Sequence, residues 1–223
     1  MNETTFPLKS DIQSAARPHR VPLAVKLGFT AFMAVLVPVY WLNYGPTNFL
    51  YFCDVALFLT LAAVWTESAL LASMAAVGIV LPQLVWVLDF AGGLCGVKLL
   101  GMTAYMFDER RPLFLRGLSL FHGWLPFLLL FLVKRLGYDK RALPAWWALA
   151  WSLILFCYMF MPGPTPNATT PVNINYVHGM SDDVAQTWMP TLAWLVTLMA
   201  GLPALLYVPT HLALKKWFTR SAA

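Results

Sequence analysis

Six stretches of roughly 20 mostly apolar residues, each about the length that crosses a bilayer core, leave this chain few ways to fold. They run near 23–42, 49–66, 69–90, 113–133, 144–162 and 188–212. The gaps between them carry their own punctuation. Asn43-Tyr44-Gly45-Pro46-Thr47-Asn48 is a tight polar turn and Thr66-Glu67-Ser68 a shorter one. Pro112, Pro144 and Pro190 stand near helix starts, where a missing N–H costs little. Of the 223 residues 60% are hydrophobic and 11% charged, against about a quarter charged in a soluble domain. One core of this size cannot hide that much apolar surface, so lipid must solvate part of it.

The expected fold class is all-α: an integral membrane bundle of six transmembrane helices spanning 23–214. A polar tail at 1–22 precedes it, a basic tail at 215–223 follows it, and an outer loop occupies 163–187. The first apolar run lacks a small-x-small cleavage site at its end and reads as an uncleaved span. Residues 91–107 are ambiguous, because Gly92, Gly93, Gly96 and Gly101 interrupt an apolar segment that also holds Lys98. A seventh span, a re-entrant piece and an interfacial helix all fit that pattern.

Charge sets the orientation. With six spans, the N-terminal tail, the Lys134-Arg135…Lys140-Arg141 loop and the Lys215-Lys216…Arg220 tail share one side, while 163–187 lacks Lys and Arg. The positive-inside bias then places both termini in the cytoplasm, and a seventh span would spoil it. The net charge of +5 follows these short gaps and forms no stripe along one helix, so nucleic acid is not an expected partner. Cys53, Cys95 and Cys157 have no CxxC or metal-ligand spacing.

Function has to be sought among polar residues inside apolar runs. Asp54 lies within Asn48–Thr60 (NFLYFCDVALFLT), where a carboxylate costs a few kcal/mol unless a partner or cavity satisfies it. In this topology Asp54, Gln83, Asp89, Arg116, Ser119 and His122 all fall in the outer half, beneath a loop carrying His178. Arg116, Ser119 and His122 are spaced three apart, so neighbours in that series share a helix face. These residues define an expected outward-facing polar cavity. Asp54, Gln83, Asp89, Arg116, His122 and His178 are its candidate ligand-binding residues, and Asp54, His122 and Ser119 are candidate catalytic groups. Asp54, Asp89, His122 and His178 are donor types that suit a metal, but no HExxH or HxxxH pattern joins them, so no metal site and no particular cofactor is expected. Ser119 and His122 invite a nucleophile–base reading, although no nucleophile-elbow sequence surrounds the serine.

The leading expectation is a membrane-embedded enzyme or binding protein for a lipid-like substrate, with membrane lipids and an amphiphilic small molecule as partners. The alternatives are a proton-linked transporter of a small solute or lipid and a non-catalytic assembly protein.

Asn48–Thr60, Leu115–Pro126 (LRGLSLFHGWLP) and Val172–Pro190 (VNINYVHGMSDDVAQTWMP) resemble bacterial chains grouped as membrane-associated proteins. That resemblance runs from about Tyr40 to His211. It implies a bacterial inner-membrane location and brings no activity with it. The chain is also superficially similar to compact six- and seven-span membrane hydrolases of the ceramidase and progestin-receptor type. Those place a serine four residues before a histidine and add a late HxxxH pair. Here Ser119 precedes His122 by three and His211 stands alone, so the hydrolase pattern is not met.

Overall fold

The structure, a computed structural model, describes residues 21–218; the expectations for the polar N-terminal tail and for the last residues of the basic tail lie outside them. Its regular elements are all helical: α1 (Leu23–Tyr44), α2 (Phe52–Thr66), α3 (Ala69–Leu94), α4 (Leu113–Leu118), α5 (Phe121–Leu136), α6 (Ala142–Phe160), α7 (Thr191–Leu202) and α8 (Val208–Phe218). Five stretches are long and apolar enough to cross a membrane: α1, α3, α4–α5 together, α6, and α7–α8 together. Hydrogen bonds between distant segments define two ends of the bundle. Arg111 reaches Tyr44 and Asn175 reaches Leu50 at one of them, here the loop end. The Asp139 N–H donates to Ser73 Oγ at the other, the turn end.

The second helix departs from expectation. The run 49–66 reads as a full span, but α2 has only 15 residues. Pro46 opens a 3-10 turn over Pro46–Leu50, and Tyr51 follows in an extended conformation, so the α-helix begins only at Phe52. At 1.5 Å per residue α2 covers about 22 Å, short of the roughly 30 Å hydrocarbon core.

Helix α3 is the axis, packed against α2, α5, α6 and α8. Its buried face is built of small side chains, Ala72, Ala75, Ala76 and Gly78, with Ser73. Small residues allow close helix approach where apolar burial against lipid drives nothing. Gly78 is the tightest point, because a Cβ there would overlap the indole of Trp146, which is fully buried on α6. Tyr207 meets that indole edge-on at 6.2 Å. On α1, Phe32 packs edge-to-face on Trp124 of α5 at 4.9 Å, and Lys26 pairs with Glu67 at 2.9 Å at the turn end.

Residues 91–107 form neither a span nor an interfacial α-helix. After Leu94 the chain reverses at Gly96, whose φ of 75 lies in the left-handed region that glycine adopts without a Cβ penalty. The Val97 N–H reaches Gly92 O at 2.9 Å and the Gly96 N–H reaches Gly93 O at 3.0 Å, the paired bonds of a Schellman stop. A short 3-10 turn, Ala104–Phe107, follows.

The fourth apolar run is also broken. Ser119 and Leu120 have ψ of −11 and −6, and three-residue hydrogen bonds, Leu120 N–H to Gly117 O and His122 N–H to Ser119 O, replace the α ladder. The Ser119 hydroxyl lies 3.4 Å from Leu115 O, a back-bond that bends helices. Just past this break, His122 stacks on Trp86 of α3 at 4.9 Å.

Candidate functional site

The space above the short α2 is filled by the segment after α6. Asn175, at a φ of 58, accepts the Phe52 N–H at 3.1 Å and donates to Leu50 O at 2.9 Å. It thereby satisfies an orphan donor of the α2 N-terminus from 123 residues away. Asn173, at a φ of 47, donates to Gly179 O and Ser181 O and accepts the His178 N–H. Asparagine is among the few residues that adopt such angles readily. Ile174 and Val177 are fully buried beside Ile154, Cys157 and Leu195. The stretch from Met161 to Pro190 is thus a folded cap.

Beneath the cap lies a polar cluster drawn from several helices. Asp54, in the first turn of α2, is buried. Its Oδ2 accepts a long bond from Asn48 Nδ2 at 3.4 Å and another from the Cys53 thiol at 3.6 Å. Its Oδ1 is buried without a partner among the described residues. Gln83 on α3 is only 2% exposed, and neither its amide oxygen nor its nitrogen has a partner among the described residues. The tight Glu67-Ser68 turn makes α2 and α3 a hairpin, which sets Gln83 within roughly one helical turn of the level of Asp54. Tyr40 of α1 shares a 2.9 Å hydrogen bond with the Ser119 hydroxyl and lies within electrostatic range of Asp54. Trp86 Nε1 donates to the Tyr105 hydroxyl at 3.2 Å, and that phenol also neighbours Ser119. Arg116 donates to Met106 O at 3.0 Å while its Nε is buried and unpartnered.

Three expected site residues are placed differently. Asp89 is buried, and both its oxygens are taken by the loop that follows: Leu100 N–H at 2.6 Å, Gly101 N–H at 3.0 Å, and Thr103 N–H and Oγ1 at 2.8 and 2.7 Å. His122 points Nδ1 at the Ser119 carbonyl, 2.8 Å away, and not at the hydroxyl. Its ring lies between Trp86 at 4.9 Å and Phe121 at 4.0 Å, within a run of stacked rings that continues through Phe90 to Phe107. Ser119 and His122 therefore form no nucleophile–base pair here. His178 belongs to the cap, stacked on Tyr158 at 4.9 Å. Among the described residues no three His, Cys, Asp or Glu side chains are grouped to hold a metal ion.

Sequence reading does not single out Tyr40 or Tyr105 as working residues. Asn173 and Asn175 do stand out in the sequence, in an alternating stretch of the outer loop, 173–177, that suits a short ordered lid.

The cap carries its own pH response. Burial holds the His178 imidazole below its ordinary value of 6.5, so the folded cap prefers the neutral ring. The unfolded cap takes up a proton first as pH falls, so cap stability is full above 6.5 and declines below it. His178→Phe keeps the Tyr158 stack and removes the titration. Hydrogen-exchange protection across 161–190, taken relative to the intrinsic base-catalysed rate at each pH, is expected to fall between pH 7 and about 5 in the wild type and to change less in the variant. Asp182, raised by burial and by Asp183, titrates with the opposite sign in both proteins and cancels from the difference. Equal pH responses would contradict this.

Together these features define an all-helical chain whose long apolar helices are compatible with a membrane protein. Comparison with known proteins found no matching family model, no matching curated sequence and no matching solved structure. No relative assigns a role to any residue, so the functional reading rests on geometry.

Proposed function

We propose that this chain is a six-helix, multi-pass protein of the bacterial inner membrane, with both termini cytoplasmic, that binds the polar headgroup of a lipid-like ligand at the loop end. Orientation follows from the basic residues. Lys134, Arg135, Lys140 and Arg141 flank the turn between α5 and α6, and Lys215 and Lys216 close α8 at the same end. The bacterial assignment rests on the resemblance described above.

The binding reading is carried by one observation. Among the described residues, Asp54 Oδ1, both ends of the Gln83 amide and Arg116 Nε are buried polar atoms without partners on segments of the loop end; the other such atoms belong to Trp146 and Tyr207 deeper in the bundle and to His178 and Gln186 of the cap. Each such group costs about 1–3 kcal/mol, more if charged, so a cluster of them signals a ligand. Arg116 offers a donor to an anionic or ester oxygen, Asp54 an acceptor to a hydroxyl or amine, and Gln83 one of each.

Binding is favoured over hydrolysis because the Ser119 hydroxyl is held by Tyr40 and not by His122. It is favoured over proton-linked transport because the buried carboxylates among the described residues, Asp54 and Asp89, both lie toward the loop end. Deeper toward the turn end, Thr60 and Thr210 bond carbonyls of their own helices at 2.7 Å, and the unpartnered groups are Trp146 Nε1 and the Tyr207 hydroxyl, which carry no charge.

Gln83→Leu tests the proposal. An idle amide replaced by leucine removes two unpaired polar atoms, so the variant is expected to melt at or above the wild-type temperature. A ligand-binding amide predicts, in addition, that the amphiphile recovered by solvent extraction and mass spectrometry falls several-fold. A melting point that holds with an unchanged extract would contradict the reading.

A further inference from the structure

Residues 94–100 are all exposed, and most are large and apolar: Leu94 at 67%, Val97 at 51%, Leu99 at 55% and Leu100 at 68%. An aqueous loop has no reason to present four such side chains around a single Lys98. The surface continues onto Leu88 of α3 and onto Leu113 and Phe114 of α4, which are also well exposed.

Non-helical backbone enters the apolar part of a bilayer only if its N–H groups find acceptors within the protein. This loop meets that condition on both flanks, and the N–H groups left without an acceptor among the described residues include those of Lys98 and Leu99 at its tip, which the headgroup layer would have to satisfy. The N–H groups of Cys95, Gly96 and Val97 go to the last carbonyls of α3. Those of Leu100, Gly101 and Thr103 go to the Asp89 carboxylate, and Ala104 donates to Gly101 O. The carboxylate is itself buried behind the turn, so its charge is covered by four donors and does not face outward.

We propose that residues 94–100 form an apolar knob inserted into the outer leaflet, and that Asp89 makes insertion possible by taking up the backbone N–H groups of the turn behind it. Lipid is the occupant that fits. The knob adjoins the apolar flank of the bundle, and Lys98 supplies an ammonium that reaches the phosphate layer while its stem stays among acyl chains. The proposal rests on the membrane orientation given above, and the test separates the two.

Single nitroxide labels are placed at Leu100→Cys, Phe127→Cys and Ala168→Cys in a Cys53→Ala, Cys95→Ala, Cys157→Ala background. The protein is reconstituted in phosphatidylethanolamine–phosphatidylglycerol liposomes. Phe127 is 63% exposed midway along α5 and reports the bundle; Ala168 is exposed in the cap and reports water. Collision with oxygen is expected to exceed collision with a water-soluble nickel chelate at 100 and 127, and the reverse is expected at 168. Chelate dominance at 100 with oxygen dominance at 127 overturns the knob alone, whereas chelate dominance at both overturns the membrane reading. Exclusion of both reagents at 100 means that a second protein surface covers it, which also overturns the proposal. Adding Asp89→Asn is expected to raise chelate access at 100 several-fold without changing 127. No change at 100 would overturn the role given to Asp89.

Discussion

Gly78→Ala is expected to destabilise the bundle by about 3 kcal/mol, the upper end of the usual range for overpacking. Alanine would ordinarily stabilise an α-helix over glycine by about 1 kcal/mol, so intrinsic propensity predicts the opposite sign. The neighbour decides the matter. The added Cβ overlaps the ring of Trp146, a fully buried indole held by Tyr207 on one side and approached by Phe52 at 6.0 Å. A ring in that position has nowhere to rotate, so α3 and α6 must separate. Thermal unfolding in detergent should show a drop of roughly 6–12 °C. Gly78→Ala combined with Trp146→Leu should recover part of it, because the two changes share one contact. A variant that melts with the wild type would mean that α3 and α6 are not packed as described.

Asn175→Ala is expected to release the cap from α2 at a cost of about 2–3 kcal/mol. The side chain joins both sides of the break before α2, accepting the Phe52 N–H and donating to Leu50 O. Alanine leaves both groups partly buried without a partner and must also adopt a φ of 58. Asn175→Gly separates these contributions, since glycine takes the backbone angle freely but makes neither bond. Glycine is therefore expected to retain most of the loss. The readout is limited proteolysis within 161–190, where both variants should be cut several-fold faster than wild type. Unchanged cleavage would show that the cap holds without Asn175.

How much of this was legible in the chain depended on range. Apolar run length reports directly on helix length, so the long helices could be read from composition, and Pro112 and Pro190 do precede α4 and α7. The end of α3 was half legible: the glycines between 92 and 101 announced a break, but the Schellman reversal at Gly96 rests on hydrogen bonds that no residue type advertises. The truncated start of α2 was missed because hydropathy does not distinguish a 3-10 turn from an α-helix of the same composition. Uniform helical spacing could not show that a tight turn at Ser119–Leu120 interrupts the run carrying Arg116, Ser119 and His122.

For the candidate site, sequence named the charged members and omitted their partners. Asp54 and Gln83 stand out in an apolar run, and the structure leaves both with unpaired atoms. Asp89 stands out equally, yet it serves backbone N–H groups, which every residue carries and which sequence cannot rank. Tyr40 was overlooked because a tyrosine in a span passes for an aromatic filler until its hydroxyl is seen against Ser119.

The most direct test of the central claim is native mass spectrometry of the gently solubilised wild type beside Asp54→Asn. Asparagine preserves the shape at position 54 and an oxygen for Asn48 to reach, while the charge and one acceptor are lost. A discrete amphiphile adduct is expected on the wild type, with about tenfold weaker retention in the variant and little change in melting temperature. A wild type that flies bare, or an adduct of equal strength on both proteins, would contradict it and return Asp54 to a purely structural role between α1 and α2.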